Sequence, residues 1–176
     1  MPTYIALLRG INVSGQKIIK MTDLKDLFQS LGFHEVQTYI QSGNVVFRAD
    51  AAKTTDIESL ILEAITARYG FSVEVFVMTG ADLNKIIEVN PYPDAEGNKL
   101  YITFFHDAPT EIPFEELDKV KAVSEVYLFT ANVFFLYCPN GYGLTKLSNP
   151  FLEKKLKTSA TTRNLNTVLK LCEMAK

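Results

Sequence analysis

VQTYIQSGNVVFRA, residues 36–49, decides the fold. Two strand-like runs, 36–41 and 44–49, meet through Ser42-Gly43 and read as a β-hairpin. Upstream, residues 3–8 read as a strand. MTDLKDLFQSLGF (21–33) then sets Leu24, Leu27, Phe28 and Leu31 at helical spacing, with Thr22 as N-cap and Gly32 as stop. Downstream, 55–69 predicts a helix with Ile57, Leu60, Ile61, Ala64 and Ile65 on one face, and SVEVFVM (72–78) a strand. The order β-α-β-β-α-β is the ferredoxin-like arrangement, so the fold class is α+β.

Beyond Gly80 a helix over 81–89 leads into NPYPDAEGN (90–98), the most turn-rich stretch of the chain. A strand over 99–105, a short helix near 113–121, and a hairpin, 126–130 with 133–138 across Ala131-Asn132, follow. Helices near 149–156 and 162–174 finish the chain. The second half thus reads as a diverged copy of the first, with helices at its C-terminal end. The division expected is 1–79 and 80–176, two ferredoxin-like subdomains packed as one globular unit. The second hairpin is apolar on both faces: Leu128, Val133, Phe135 and Tyr137 alternate with Tyr127, Phe129, Phe134 and Leu136. Either a second layer of the same chain covers it, or it is a partner interface, and the chain is a monomer or a homodimer accordingly.

A hydrophobic share of 47% beside 22% charged residues is that of a globular chain able to bury a core, and no run reaches the ~20 apolar residues that span a bilayer. MPTYIALLRG lacks the basic segment and the apolar length of a signal peptide. Two cysteines, Cys138 and Cys172, are too few for a disulfide framework, so a cytoplasmic location is expected. The net charge of −2 is unevenly spread. Residues 1–25 carry +3 and 128–176 carry +5, against −9 over 50–127. Such asymmetry suits an anionic partner, nucleic acid included, but an ordinary solvated surface shows it as well.

The most pointed chemistry lies in RGINVSGQK (9–17), where two glycines, an asparagine and a serine sit between Arg9 and Lys17, with Lys20 close behind. Glycines let backbone amides approach a ligand, and the cations favour an anionic group. It is not a phosphate-binding P-loop. Gly10 and Gly15 have the right separation, but Gln16 follows, Lys17 is one place late, and Ile18 stands where a hydroxyl would hold magnesium. The hairpin tip adds Gln41, Ser42 and Asn44 as polar groups, which turn chemistry alone also explains. In TTRNLNTVLKLC (161–172), Leu165, Val168, Leu169 and Cys172 form the stripe of a helix expected to be buried. Its opposite face carries Arg163, Asn164, Asn166, Thr167 and Lys170, with Thr161 or Thr162 as N-cap; such a helix start can hold an anion. His34 and His106 are solitary, no Cys/His spacing suggests a metal, and no cofactor is implied.

YIALLRGINVSGQKIIKM, TYIQSGNVVF and LEKKLKTSATTRNLNTVLKL together resemble domain-of-unknown-function family 1697, a group of mostly bacterial proteins. The resemblance runs from end to end of the chain. It implies an α+β fold of two ferredoxin-like subdomains and brings no reaction. The motif positions it marks are Arg9, Gly10, Asn12, Gly15, Lys20, Gln41, Ser42, Gly43, Asn44, Thr162, Arg163, Asn164 and Asn166. The sequence departs at Ser14, where the family has a second adjacent glycine, and at Leu165, where it has tryptophan.

The leading expectation is a binding protein for a small anionic or phosphorylated ligand, or a nucleic-acid phosphate. Its site joins the 9–20 loop, the 41–44 hairpin tip and the start of the last helix. Arg9 and Arg163 contact the anion, Asn12, Asn44 and Asn164 orient it, and Lys17, Lys20, Gln41, Ser42, Thr162 and Asn166 complete the set. Two other readings stand beside it: a non-catalytic interaction module acting through the 126–138 hairpin, and an enzyme that uses the arginine and asparagine groups for electrostatic stabilisation.

Overall fold

The computed structural model describes residues 1–176, an α+β chain with two four-stranded antiparallel sheets and six α-helices. Its contacts divide it into a unit of residues 1–84 with 170–176 and a unit of residues 85–169.

In the first unit β1 (Thr3–Leu8) is the central strand because nearly every one of its residues is apolar and both its edges find partners. It pairs with β3 (Asn44–Arg48) on one side and β4 (Val75–Thr79) on the other, and β2 (His34–Tyr39) lies outside β3. The order is β2-β3-β1-β4. Tyr4, Ala6 and Leu8 of β1 join Val45 and Phe47 of β3 on one buried face. Over it lie α1 (Met21–Ser30), through Leu24, Leu27 and Phe28, and α2 (Thr54–Tyr69), through Ile57, Ile61 and Ile65. The Phe28 and Phe47 rings meet edge to face at 5.3 Å.

Several boundaries differ from the expectation. α1 begins at Met21 with Lys20 at the cap and no side-chain bond, so Thr22 is not its N-cap. Gly32 does end the helix region, at φ +85°. Leu60 is exposed although it fits the helical stripe. β4 starts at Val75, which leaves Ser72 to Glu74 as a loop. β4 leads into α3 (Gly80–Glu88).

The second unit carries β5 (Leu100–Phe105), α4 (Phe114–Val120), β6 (Val126–Thr130), β7 (Val133–Tyr137), α5 (Asn149–Leu156) and β8 (Ala160–Asn164). Its sheet order is β6-β7-β5-β8. The largest correction falls here. Residues 160–164 are not part of the last helix but a strand, paired antiparallel to β5, and the helix α6 (Leu165–Met174) starts only after it. β6 and β7 turn at Ala131 and Asn132, both with positive φ (50° and 62°), the two-residue turn whose twist matches the flanking strands. Phe134 and Leu136 of β7 form a core with Leu117, Leu147, Leu152 and Leu156. Val133 and Phe135, on the opposite face of β7, are buried too, so this strand is covered on both faces within a single chain.

Candidate functional site

Leu8 is the last residue of β1, and the chain then has to turn back towards α1. Buried Ile11 and Ile19 anchor the two ends of the excursion in the first unit's core. Between them the loop folds on itself as a miniature hairpin. Asn12 N–H donates to the Lys17 carbonyl at 3.1 Å, and Gln16 N–H to the Val13 carbonyl at 3.0 Å. Ser14 (φ 51°) and Gly15 (φ 70°) make the turn, both left-handed; a glycine at 14 would adopt that backbone at lower cost than serine does.

Asn12 locks the base of this hairpin. Its Nδ2 donates to the Ile19 carbonyl at 3.0 Å and to the Gln41 carbonyl at 2.8 Å, while its Oδ1 accepts from Ile19 N–H at 2.9 Å. The amide is therefore engaged in holding the loop to the 40–43 turn. The turn is tied in from below as well: Leu8 N–H donates to the Gly43 carbonyl at 2.8 Å. Asn44 is fully buried, and its Nδ2 donates to the Tyr39 carbonyl and to Ser42 Oγ, each at 2.9 Å. Ser42 and Asn44 thus build the turn, and Gln41 contributes its carbonyl to Asn12. Asn12→Ala is expected to leave the Ile19 amide without its acceptor, to cost about 2 kcal/mol, and to free the loop; hydrogen exchange over residues 11–19 reads both effects.

The pinned loop overhangs an open cleft of about 670 Å³ lined by Arg9, Gly10, Val13, Ser14, Gln16, Lys17, Ser72 and Glu74. Arg9 stands at the β1 exit, its N–H bonded to the Glu74 carbonyl at 3.0 Å. Lys17 comes from the far arm of the hairpin, and its ammonium donates to the Ser72 carbonyl at 2.8 Å. Two cations from opposite ends of one loop therefore line the same cleft, with a single carboxylate, Glu74, beside them. Nothing lies within 4 Å of where a Gly10 side chain would begin, so its backbone is open to a close approach. Lys20 is exposed at the cap of α1 and does not line the cleft.

Sequence reasoning missed Ser72 and Glu74. The signal was topological: with β4 beside β1 in antiparallel register, Leu8 opposite Val75, the residues flanking that pair are Arg9 and Glu74.

The third segment lies in the second unit and is differently built from the helix start expected. Thr162 on β8 shares its hydroxyl with Thr103 at 2.7 Å and Asn149 Oδ1 at 2.5 Å. Arg163 is 8% exposed, and its guanidinium donates to Thr161 Oγ1 at 3.0 Å and to the Thr162 carbonyl at 2.9 Å. Burial lowers its pKa to about 10, which still leaves it cationic at neutral pH. Asn164 Oδ1 accepts from Thr167 N–H at 2.9 Å and caps α6. The Asn166 amide lies directly over the Cα of Gly97, where any side chain would collide with it. The two asparagines are thus explained by capping and by close packing. The stripe of α6 is also shifted: Leu165, Val168, Leu171 and Cys172 are buried, whereas Leu169 is exposed.

Neither thiol is in a disulfide, and both are buried. Burial, with the Glu125 carboxylate next to it, pushes Cys138 up to about 12, where it is a poor nucleophile at neutral pH. No trio of His, Cys, Asp or Glu side chains is placed to hold a metal ion, and no helix is long and apolar enough to cross a membrane.

The family model described as "Protein of unknown function (DUF1697)" matches residues 1–135, which takes in the loop, the cleft and the 41–44 turn; the 152–171 motif lies beyond the match. Among solved structures, the chain is similar to the conserved bacterial protein SP0830 from Streptococcus pneumoniae, with 23% identity, a TM-score of 0.75 and 99% of each chain covered. That likeness is one of fold. No curated protein matches.

Proposed function

This chain belongs to the DUF1697 family, and from that premise we propose that it binds a small anionic or phosphorylated ligand in the cleft under the 9–17 loop. The observation that carries this reading is the convergence of Arg9 and Lys17 on one open cleft beneath a loop held rigid by Asn12. A loop tied down by hydrogen bonds loses little entropy on binding, and two cations on one wall give an anion charge-assisted hydrogen bonds. Glu74 on the same wall suits a ligand that carries a hydroxyl or ammonium donor next to its anionic group, as sugar phosphates and nucleotides do. A single phosphate of a nucleic acid presents the same chemistry. Arg9 and Lys17 are the contacts; Gln16 and Ser14 offer neutral hydrogen bonds.

The scaffold is best read as two ferredoxin-like copies from a duplication. Supporting this are the matching element and strand orders of the two units and one repeated detail. Glu58 of α2 accepts from the Val77 amide of β4 at 2.9 Å, and Glu153 of α5 accepts from the Ala160 amide of β8 at 3.3 Å. Two buried cysteines without a disulfide fit a reducing cytoplasm.

Thermal unfolding against inorganic phosphate, sugar phosphates, nucleotides and short oligonucleotides tests the binding. A ligand at ~100-fold its dissociation constant adds ~2.7 kcal/mol, a rise of about 5–10 °C for a chain of this size. Arg9→Ala and Lys17→Ala should each weaken that ligand by roughly 10- to 100-fold. A flat screen, or a ligand indifferent to both substitutions, sinks the reading.

A further inference from the structure

NPYPDAEGN (90–98), the turn-rich stretch between α3 and β5, contributes nothing to the 9–17 cleft. It is nevertheless tied down along its whole length. Tyr92 N–H donates to Asn90 Oδ1 at 2.9 Å, Ala95 N–H to the Tyr92 carbonyl at 3.1 Å, and Lys99 N–H to the Glu96 carbonyl at 2.9 Å. From the start of α6, Asn166 N–H reaches the Gly97 carbonyl at 3.2 Å. Pro91 and Pro93 restrict the backbone on either side of Tyr92, so little chain freedom is left to lose when its ring meets a ligand.

β7 ends beside this segment. Leu100, the first residue of β5, pairs with Tyr137, the last of β7, and Cys138 N–H continues the pairing to the Lys99 carbonyl at 2.8 Å. A cleft of about 370 Å³ opens there, lined by Pro91, Tyr92, Pro93, Asp94, Ala95 and Tyr137. Both tyrosines are half-buried, and burial pushes the Tyr92 phenol above its ordinary value. Neither ring stacks on another ring and neither hydroxyl bonds within the chain, in contrast to Tyr4, Tyr101, Tyr127 and Tyr142. The single charge on the wall is the Asp94 carboxylate, which is exposed and makes no ion pair. Glu96, two residues on, is already matched by Lys99 at 3.3 Å.

We propose that this cleft binds an organic ammonium ion, of the quaternary kind carried by choline or by a trimethylated lysine side chain. The negative faces of two tyrosine rings attract a cation whose charge is spread over apolar methyl groups, and such a cation has no N–H donors in need of acceptors. The prolines and Ala95 give those methyl groups apolar contact, and Asp94 supplies the opposite charge. An anion finds no cation on this wall. A primary ammonium would give up hydration that two rings and one carboxylate do not replace. The cleft is thus opposite in sign to the 9–17 site, and the two readings stand or fall separately.

Titration of the full chain with choline, followed by proton NMR, tests this. The expected result is saturable binding with a dissociation constant on the order of millimolar. The choline methyl signal should move upfield over the ring faces, and the Tyr92 and Tyr137 ring signals should move with it. Free trimethyl-lysine, titrated in parallel, separates the two sources of the head group by which binds more tightly. Tyr92→Leu and Tyr137→Leu should each weaken choline by roughly 3- to 10-fold and Asp94→Asn by roughly 3-fold, whereas Tyr92→Phe, which keeps the ring, should bind as the unaltered chain does. Arg9→Ala should change nothing here. Absence of saturable binding overturns the proposal, as does equal affinity for dimethylbutanol, the uncharged isostere of choline. Choline binding that ignores both ring substitutions overturns it too, and so does a proline-rich peptide that binds where choline does not. If Tyr137→Leu fails to fold, the unaltered chain and the Tyr92 and Asp94 variants, altered only in a loop, still decide the matter.

Discussion

Gly43→Ala is expected to lose about 3 kcal/mol of stability, seen as a fall of about 6–12 °C in melting temperature. Gly43 sits at φ +85°, where an L side chain costs about 1–2 kcal/mol on its own. A Cβ there would lie 2.7 Å from Ile11 Cδ1 and 2.8 Å from Leu8 Cβ, and both neighbours are themselves buried. Ile11 Cδ1 is the end of a side chain and can shift within the core, but Leu8 Cβ is fixed to the strand backbone and cannot. Leu8 belongs to the central strand, and Ile11 anchors the cleft loop, so relief of the clash must shift the loop. The control is Gly10→Ala, equally left-handed at φ +71° but with open space around it, which pays the backbone cost alone. Denaturation of the two variants side by side decides the matter: if Gly43→Ala loses no more than Gly10→Ala, the close approach is not a constraint. Ligand affinity should fall in Gly43→Ala, since Ile11 holds one end of the loop that carries Arg9 and Lys17.

The second large effect is expected from Asn44→Asp. The change is nearly isosteric, but a carboxylate would face the Tyr39 carbonyl and Ser42 Oγ in a site with no solvent exposure. At pH 7 the cost should be about 3–4 kcal/mol, the penalty of burying a charge with one oxygen against the Tyr39 carbonyl. The variant also acquires a pH dependence that the unaltered protein lacks at this position. Burial raises the folded-state pKa of the introduced carboxyl above its unfolded value of about 3.9. Below that value both states are protonated, the acid's O–H can donate where the amide did, and most of the loss disappears. As pH rises from there through the folded pKa, stability is progressively lost, and above it the deficit is complete. Urea midpoints from about pH 3.5 to 8, measured on both proteins, should therefore converge at the acid end. A constant offset across that range would mean that the site is wet or the charge paired.

Much of this architecture was legible because local chemistry and global topology agree. The Ala131-Asn132 pair could only be a tight turn between two apolar runs, and both residues take the left-handed conformation it needs. β8 was missed for the opposite reason. ATTRN is polar and short, it runs straight into the Leu165 to Cys172 stripe, and the helical period absorbed it. Two adjacent threonines were the available signal, since β-branched residues favour strands over helix starts. The unfinished β-α-β-β-α order of the second half also left room for a closing strand. Of the expected site residues, Arg9 and Lys17 line one cleft, Lys20 and Arg163 do not line it, and the asparagines bond to the backbone. Asn12, Asn44 and Asn164 have the composition of a ligand shell, yet each is engaged by backbone groups at a loop, a turn or a helix start. Sequence shows that a polar side chain is present; only three-dimensional neighbours show whether the backbone has already claimed it.

The central position of β1 has a consequence for synthesis. The strand Thr3–Leu8 is made before both of the strands it pairs with, β3 at residues 44–48 and β4 at residues 75–79. At about 5–20 residues per second, an almost wholly apolar strand waits several seconds with its second edge unpaired. The same unit also draws in residues 170–176, which emerge only after the second unit has been made. The unit begun at residue 1 is therefore completed only after residues 85–169 have been made, and until then its central apolar strand is exposed to non-native pairing.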